Sequence, residues 1–171
     1  MNALPLIARL ETFGHSLPVV VAGIAAADAV WKPPDGAWSV LEIVNHLADE
    51  DPRDFRARLS LTLRDPALPW PPGDPQQWAR DGRYNERDLA ESIGRFVAER
   101  RESVRWLRSL HTPDWAQAHV HPRAGPLTAG SLLGAWAAHD ALHLRQIAKR
   151  MHELAGRDCG ESTRYAGEWR A

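Results

Sequence analysis

SVLEIVNHLADEDPRDFRARLSLTLR, residues 39–64, decides the class of fold. Val40, Ile43, Val44 and Leu47 recur at spacings of three and four, the period of one face of an α-helix. Ser39 stands just before that run and Glu42 follows it by three residues, a capping-box pattern that starts a helix. Pro52 removes a backbone donor, so a kink is expected just past His46. Asp51 and Asp54 flank the proline and can recap a restarted turn, which carries the helix to about Arg64.

The same period continues on both sides of this segment. Upstream, Lys32-Pro33-Pro34-Asp35-Gly36 is a breaker, and before it a helix is expected from Ala3 to about Ala27, with Leu6, Leu10, Phe13 and Leu17 on one face and a bend at Pro18. Downstream, residues 65–85 are rich in proline and glycine and too long for an ordinary bundle connection. They carry Trp70 and Trp78, so this loop is expected to pack over the core, a pocket mouth or a partner subunit. A third helix is expected from about Glu86 to Leu110, with Leu89, Ile93, Phe96, Val97, Val104 and Leu107 inward. A loop with His119, His121, Pro122 and Gly125 leads to a fourth helix from Thr128 to about Leu154, and a polar tail runs from about Gly156. Alternating strand-like runs are scarce. The expected fold is all-α, a four-helix bundle occupying residues 1–171 as one domain.

A chain of 171 residues can close one hydrophobic core without disulfides or structural metals. Its 44% hydrophobic residues include no stretch near the roughly 20 apolar residues that span a bilayer, so no membrane partner is expected. Twenty-one basic against 22 acidic residues give a net charge of -1, and no like-charge block suggests a nucleic-acid surface. MNALPLIARLETF places Arg9 and Glu11 within its apolar run and does not read as an export leader. Together with the lone Cys159, this gives a cytoplasmic expectation. Eight tryptophans against 3 Phe and 2 Tyr suggest helix-to-loop packing or a lined cavity.

His139 and His143 are four residues apart on the fourth helix, about 40° apart around its axis at roughly 100° per residue. Leu132, Trp136 and Ile147 lie on or beside that face, so both rings are expected to point into the bundle. Buried neutral imidazoles need partners for both nitrogens, and a shared metal ion is one such partner. His46 is the third candidate, next to the Ile43 and Leu47 stripe, with Glu50 one turn later. Three imidazoles from two helices leave coordination positions open, the arrangement of a catalytic site; a core histidine bonded to a carbonyl is the bland reading of His46. Glu50 could be a fourth ligand, a general base or an acceptor behind an imidazole. Asp140, about 100° around from His139, is expected in an outward ion pair. Arg53, Arg145 and Gln146 are candidates to meet an anionic substrate, while His119 and His121 are remote candidates for accessory ligands.

The string Trp38-Ser39-Val40-Leu41-Glu42-Ile43-Val44-Asn45-His46-Leu47, then His121-Pro122-Arg123-Ala124-Gly125-Pro126-Leu127-Thr128, then His139-Asp140-Ala141-Leu142-His143-Leu144-Arg145-Gln146-Ile147 resembles the DinB/YfiT-like superfamily. The motifs occur in the family's order and take in nearly the whole chain. The resemblance implies an up-down-down-up four-helix bundle, often a homodimer. It also implies a divalent ion on His46, His139 and His143 as metal ligands; imidazole donors suit Zn2+ or Ni2+, and Glu50, from its place one turn past His46, is the catalytic candidate. Members include S-transferases and isomerases that use low-molecular-weight thiols, and others described only as metal-dependent hydrolases.

The expected function is therefore a metal-dependent enzyme, a thiol-dependent transferase or isomerase or else a hydrolase, acting on a small-molecule substrate. The alternative is a non-catalytic, metal-stabilised helical dimer that binds a ligand or partner. His139-Asp140-Ala141-Leu142-His143 also looks like the zinc-peptidase motif H-E-x-x-H with Asp for Glu, but the shorter carboxylate and a third ligand upstream argue against peptidase activity.

Overall fold

The computed structural model describes residues 1–167 and Trp169; the rest of the C-terminal tail lies outside the described residues. In chain order the helices are α1 (Leu4–Val21), α2 (Ala26–Ala29), α3 (Val40–Glu50), α4 (Arg56–Arg64), α5 (Pro75–Asp81), α6 (Leu89–Ser109) and α7 (Ala129–Cys159). A π-helical turn, Asp51–Phe55, joins α3 to α4 without a break, and a hairpin of β1 (Ala118–His121) and β2 (Gly125–Thr128) precedes α7. The four long members are α1, the continuous α3–α4 rod, α6 and α7. No helix among the described residues is long and apolar enough to cross a membrane.

Local chemistry sets the ends of these helices. Ser39 accepts from the Glu42 amide while the Glu42 carboxylate accepts from the Ser39 amide, closing the capping box. Asp88 caps α6 through the Glu91 amide, and Thr128 caps α7 through the Ser131 amide. Gly160, at φ 67°, ends α7 in the left-handed conformation that glycine adopts without strain. Pro52 does not interrupt its rod: the turn widens, and the Arg56 amide bonds back five residues to the Asp51 carbonyl, which accommodates the missing proline donor.

Several expectations are corrected here. The first helix stops at Val21, just before Gly23, and the short α2 follows where a continuous helix to Ala27 was expected. The segment 65–85 is not a structureless loop. Asp74 caps α5 and Pro75 opens it, so proline here begins a helix. The segment after α6 is an antiparallel hairpin with Gly125 at φ 72° beside its turn. The last helix runs on to Cys159.

Side-chain pairs fix the direction of each helix. Asn45 bonds Ser92, Asp51 bonds Arg100 and Arg56 reaches Ser103, so the α3–α4 rod and α6 run parallel. His46 meets His143 while Phe55 stacks on Trp136, so α7 runs antiparallel to the rod. Phe13 touches Phe96 and Glu11 pairs with Arg108, so α1 opposes α6. The order is up-down-down-up, and the long 65–88 connection is what permits two successive parallel members.

Two apolar clusters fill the bundle. One gathers Phe13, Leu17, Val40, Ile43, Leu47, Phe96 and Ile147; the other gathers Leu10, Leu59, Val104, Leu107, Leu133 and Trp136. Burial of such side chains stabilises by about 1.5–3 kcal/mol each relative to exposure. Between the clusters lies a polar layer contributed by the end of α3, the π-helical turn, α6 and the middle of α7, and the candidate site belongs to that layer.

Candidate metal centre

Every residue of α3 from Val40 to Glu50 is buried, because α5, α6 and α7 all pack on it. Each polar side chain on this helix therefore needs an internal partner. Asn45 donates to the Leu41 carbonyl and to Ser92 Oγ. Asp49 accepts from Tyr84 and from Arg95, and at 3.1 Å from Arg53. His46 is different, because its partners are two other histidines.

His46 Nε2 lies 3.0 Å from His143 Nε2 and 3.4 Å from His139 Nε2, and the latter two are 3.0 Å apart. The three nitrogens lie on a circle of about 1.8 Å radius, close to the about 2.0–2.1 Å of a zinc–imidazole bond, so His46, His139 and His143 could hold one such ion together. His46 and His143 are buried and His139 is half-buried. Burial is the main reason their pKa values fall, to about 2 for His46, about 3 for His139 and about 4 for His143. Mutual repulsion adds to the shift for His46 and His139. All three are neutral near pH 7, the state a metal ligand requires. Three neutral rings with Nε2 atoms converging on one point suit a cation better than one another, so the donor set fits a divalent ion.

The outer faces of the rings are also held. His143 Nδ1 is 2.9 Å from Gln146 Oε1; the amide oxygen can only accept, so Nδ1 carries the proton and Nε2 presents its lone pair to the cluster. His46 Nδ1 has no hydrogen-bond partner, and the nearest carboxylate oxygen, Glu50 Oε1, is 3.6 Å away. Glu50 thus stands behind the His46 ring, and its carboxyl is pushed up to about 8, first by burial and then by Asp54. The Trp38 ring centroid lies 4.8 Å from that of His46, and Phe55 meets His139 edge-on at 5.1 Å.

One expectation is overturned one residue along α7. Asp140 is not an outward ion pair but buried, bonded by Arg100 Nη1 at 2.6 Å and Nη2 at 2.8 Å. Arg100 also holds Asp51 through Nε at 2.8 Å and Nη2 at 3.0 Å, and it donates to the Leu10 carbonyl at 3.0 Å. Trp136 Nε1 adds a bond to Asp51 at 2.9 Å. Helix α7 is enclosed by α1 as well as by the α3–α4 rod, so a residue about 100° from the histidine stripe still points inward. The sequence reading missed Arg100 and Asp51 as a pair, since no local spacing joins residues on different helices.

The remaining candidates fall elsewhere. His119 lies in the hairpin, bonded to the Pro66 carbonyl at 2.9 Å and stacked on Trp70 at 4.3 Å, while His121 accepts from two amides of its own turn. Neither belongs to the cluster. Arg53 stacks on Trp78 at 4.0 Å. Arg145 and Gln146 line a cleft bounded also by Trp38, and this cleft meets the histidine cluster through Trp38, which packs on His46, and Gln146, which bonds His143.

A family model described as the DinB superfamily matches residues 9–147. A protein of Oceanobacillus iheyensis is 29% identical over 113 residues, a match that takes in 66% of this chain and 64% of that one, just under two thirds of its length. YfiT of Bacillus subtilis is 29% identical over 125 residues, covering 68% of this chain and 67% of its own. Both are named putative metal-dependent hydrolases. The solved structure of YfiT, described as a four-helix bundle of unusual topology, superposes with a TM-score of 0.78 at 22% identity, over 94% of this chain and 89% of that one. That likeness shows the shared fold.

Proposed function

The chain belongs to the DinB superfamily, and from that premise we propose that it is a metal-dependent enzyme, a hydrolase or a small-thiol-dependent transferase or isomerase, whose divalent ion sits on His46, His139 and His143. The observation that carries this reading is the convergence of three neutral Nε2 atoms within 3.4 Å of one another from two antiparallel helices. The names of the relatives support metal-dependent hydrolysis in particular. An ion held there, Zn2+ or Ni2+, supplies Lewis acidity that polarises an electrophile or makes water or a thiol nucleophilic at neutral pH.

The chain's own groups do the rest. Gln146 fixes the His143 tautomer, and Trp38 and Phe55 shield two of the rings from water. Arg100, by holding Asp140 and Asp51 together, sets the rotation of α7 against the rod and so the meeting point of the rings. Glu50 is proposed to orient His46 from behind, with a carboxyl oxygen 3.6 Å from Nδ1 placed to accept a hydrogen bond from Nδ1–H on a small approach. A homodimer and a cytoplasmic location are part of the proposal and rest on the family and composition. The tryptophans of the long connection offer the dimer no support, because Trp70 packs on Thr62 and His119, and Trp78 on Arg53.

Elemental analysis of untagged protein, followed by a screen of esters, amides and thiol–electrophile pairs, tests the reading. One divalent ion per chain and turnover that tracks its removal and return are expected, with both lost in His143→Ala. Protein that takes up no ion at micromolar supply would overturn it.

A further inference from the structure

The cleft bounded by Trp38 and Gln146, the neighbours of His46 and His143, has a volume of about 760 Å³, within the size range of small-molecule sites. Its charge is one-sided: Lys32, Arg80, Arg145, Lys149 and Arg150 line it against the single carboxylate of Glu42. Glu42 is itself committed, to Lys32 at 2.8 Å and to the Ser39 amide at 2.9 Å. In a chain whose net charge is -1, five cations around one concavity are not an average of the surface.

Arg150 is the most telling of the five. It is only 4% exposed, yet its Nε and Nη1 atoms have no hydrogen-bond acceptor among the described residues. Among the described residues its one ionic neighbour is Glu153 Oε2, 3.1 Å from Nη1 but not in hydrogen-bonding geometry. Burying a guanidinium without acceptors is costly, so among the described residues Arg150 lacks an acceptor that its burial calls for. The position is also pointed. His139, His143, Gln146 and Arg150 follow one another at spacings of four, three and four, a single stripe of α7, which places Arg150 about 10 Å along the helix axis from His143. Gln146 sits between them, holding His143 with its amide while facing the cleft. Trp38 also lines the cleft and packs on His46.

We propose that this cleft receives a small organic polyanion, its carboxylate or phosphate groups held by Arg150, Arg145 and Lys149, and its uncharged middle laid along Trp38 toward the three histidines. This names the substrate class and rests on the functional reading above. Guanidinium groups match carboxylate and phosphate oxygens with paired hydrogen bonds, and the concentrated positive field draws such ligands in. A substrate of this class carries its reacting atom about 10 Å or less from its anionic end, given the separation of His143 and Arg150.

Calorimetric titration of the full chain, with and without bound zinc, at low salt tests the proposal with three probes: glutarate, glycerol phosphate and the neutral glutaramide. At least one anion is expected to bind about tenfold or more tightly than the diamide, the order of one charge-assisted hydrogen bond, and to weaken as salt is added. The anion that binds identifies the carboxylate or the phosphate source. Arg150→Met is expected to weaken anion binding about tenfold, and the exposed Arg145→Gln, which bears no folding risk, by a smaller factor, with zinc content unchanged in both. Equal binding of anion and diamide, no binding of either anion at millimolar concentration, or both variants retaining wild-type affinity would overturn it. Anion binding that persists in a chain unable to take up zinc would defeat the functional reading and leave the anion cleft standing.

Discussion

The Cβ that Gly14 lacks would lie 2.8 Å from Cγ of Arg100. The guanidinium beyond that Cγ is fixed by its bonds to Asp51, Asp140 and the Leu10 carbonyl, so the stem cannot swing away as a surface arginine would. Gly14→Ala should therefore reverse the usual effect of alanine in a helix, a gain of about 0.5–1 kcal/mol, and destabilise by about 1–3 kcal/mol through overpacking. Thermal melts decide it: a raised midpoint would mean that the arginine layer yields.

Arg100→Met should cost more. It leaves Asp51 and Asp140 buried without their cation, and breaking a buried pair typically costs about 3–5 kcal/mol. Urea unfolding measures the loss, and the double variant with Asp140→Asn should recover part of it. A loss below about 1 kcal/mol would show that the two carboxyls become protonated at little cost.

Glu50→Gln separates two roles. If the carboxylate orients His46, the variant should bind zinc about 10- to 100-fold more weakly, the usual effect of losing a group behind a ligand. Competition against a chelator reads that affinity. Unchanged affinity with turnover down by about a hundredfold or more would instead make Glu50 a general base.

Without metal, stability should peak near pH 6.5 and fall on both sides. The three histidines stay neutral in the fold, with pKa values of about 2, 3 and 4, whereas the unfolded chain takes up protons below the ordinary value of 6.5. Stability is therefore lost as pH falls from 6.5 toward 5. Asp140, raised to about 6, and Glu50, raised to about 8, act in the opposite sense, but they offset only part of the three-histidine effect in that window. Above pH 6.5 Glu50 dominates, because the folded state keeps a proton that the unfolded chain has released, and stability declines until about pH 8. Chemical denaturation of chelator-treated protein across pH 5 to 8.5 traces the curve, and Glu50→Gln should flatten its alkaline limb and steepen its acid one.

The features legible in the sequence are those written in short spacings. Ser39 with Glu42 announced α3, and His139 with His143 announced one face of α7, because caps and helical faces repeat within a turn or two. That His46 would join them came from the family resemblance and from its place beside an apolar stripe. The hairpin of Ala118–His121 with Gly125–Thr128 was missed because four-residue strands are too short for alternation to register. Helix α5 was hidden by its prolines. The position of Asp140, about 100° from the histidines, points outward only if α7 has one buried face, whereas the bundle encloses that helix from two sides.

The widened turn at Asp51–Phe55 acts as a phase slip in a rod that is otherwise uniform. It lets the half bearing His46 and the half bearing Leu59 each aim its buried side correctly, although the two halves are out of step as one ideal α-helix. Winding the same residues into a regular α-helix, with none removed, would rotate everything beyond by about 100°. Leu59 would leave the second apolar cluster. The spare residue is thus the joint by which one helix serves two differently oriented halves of the core.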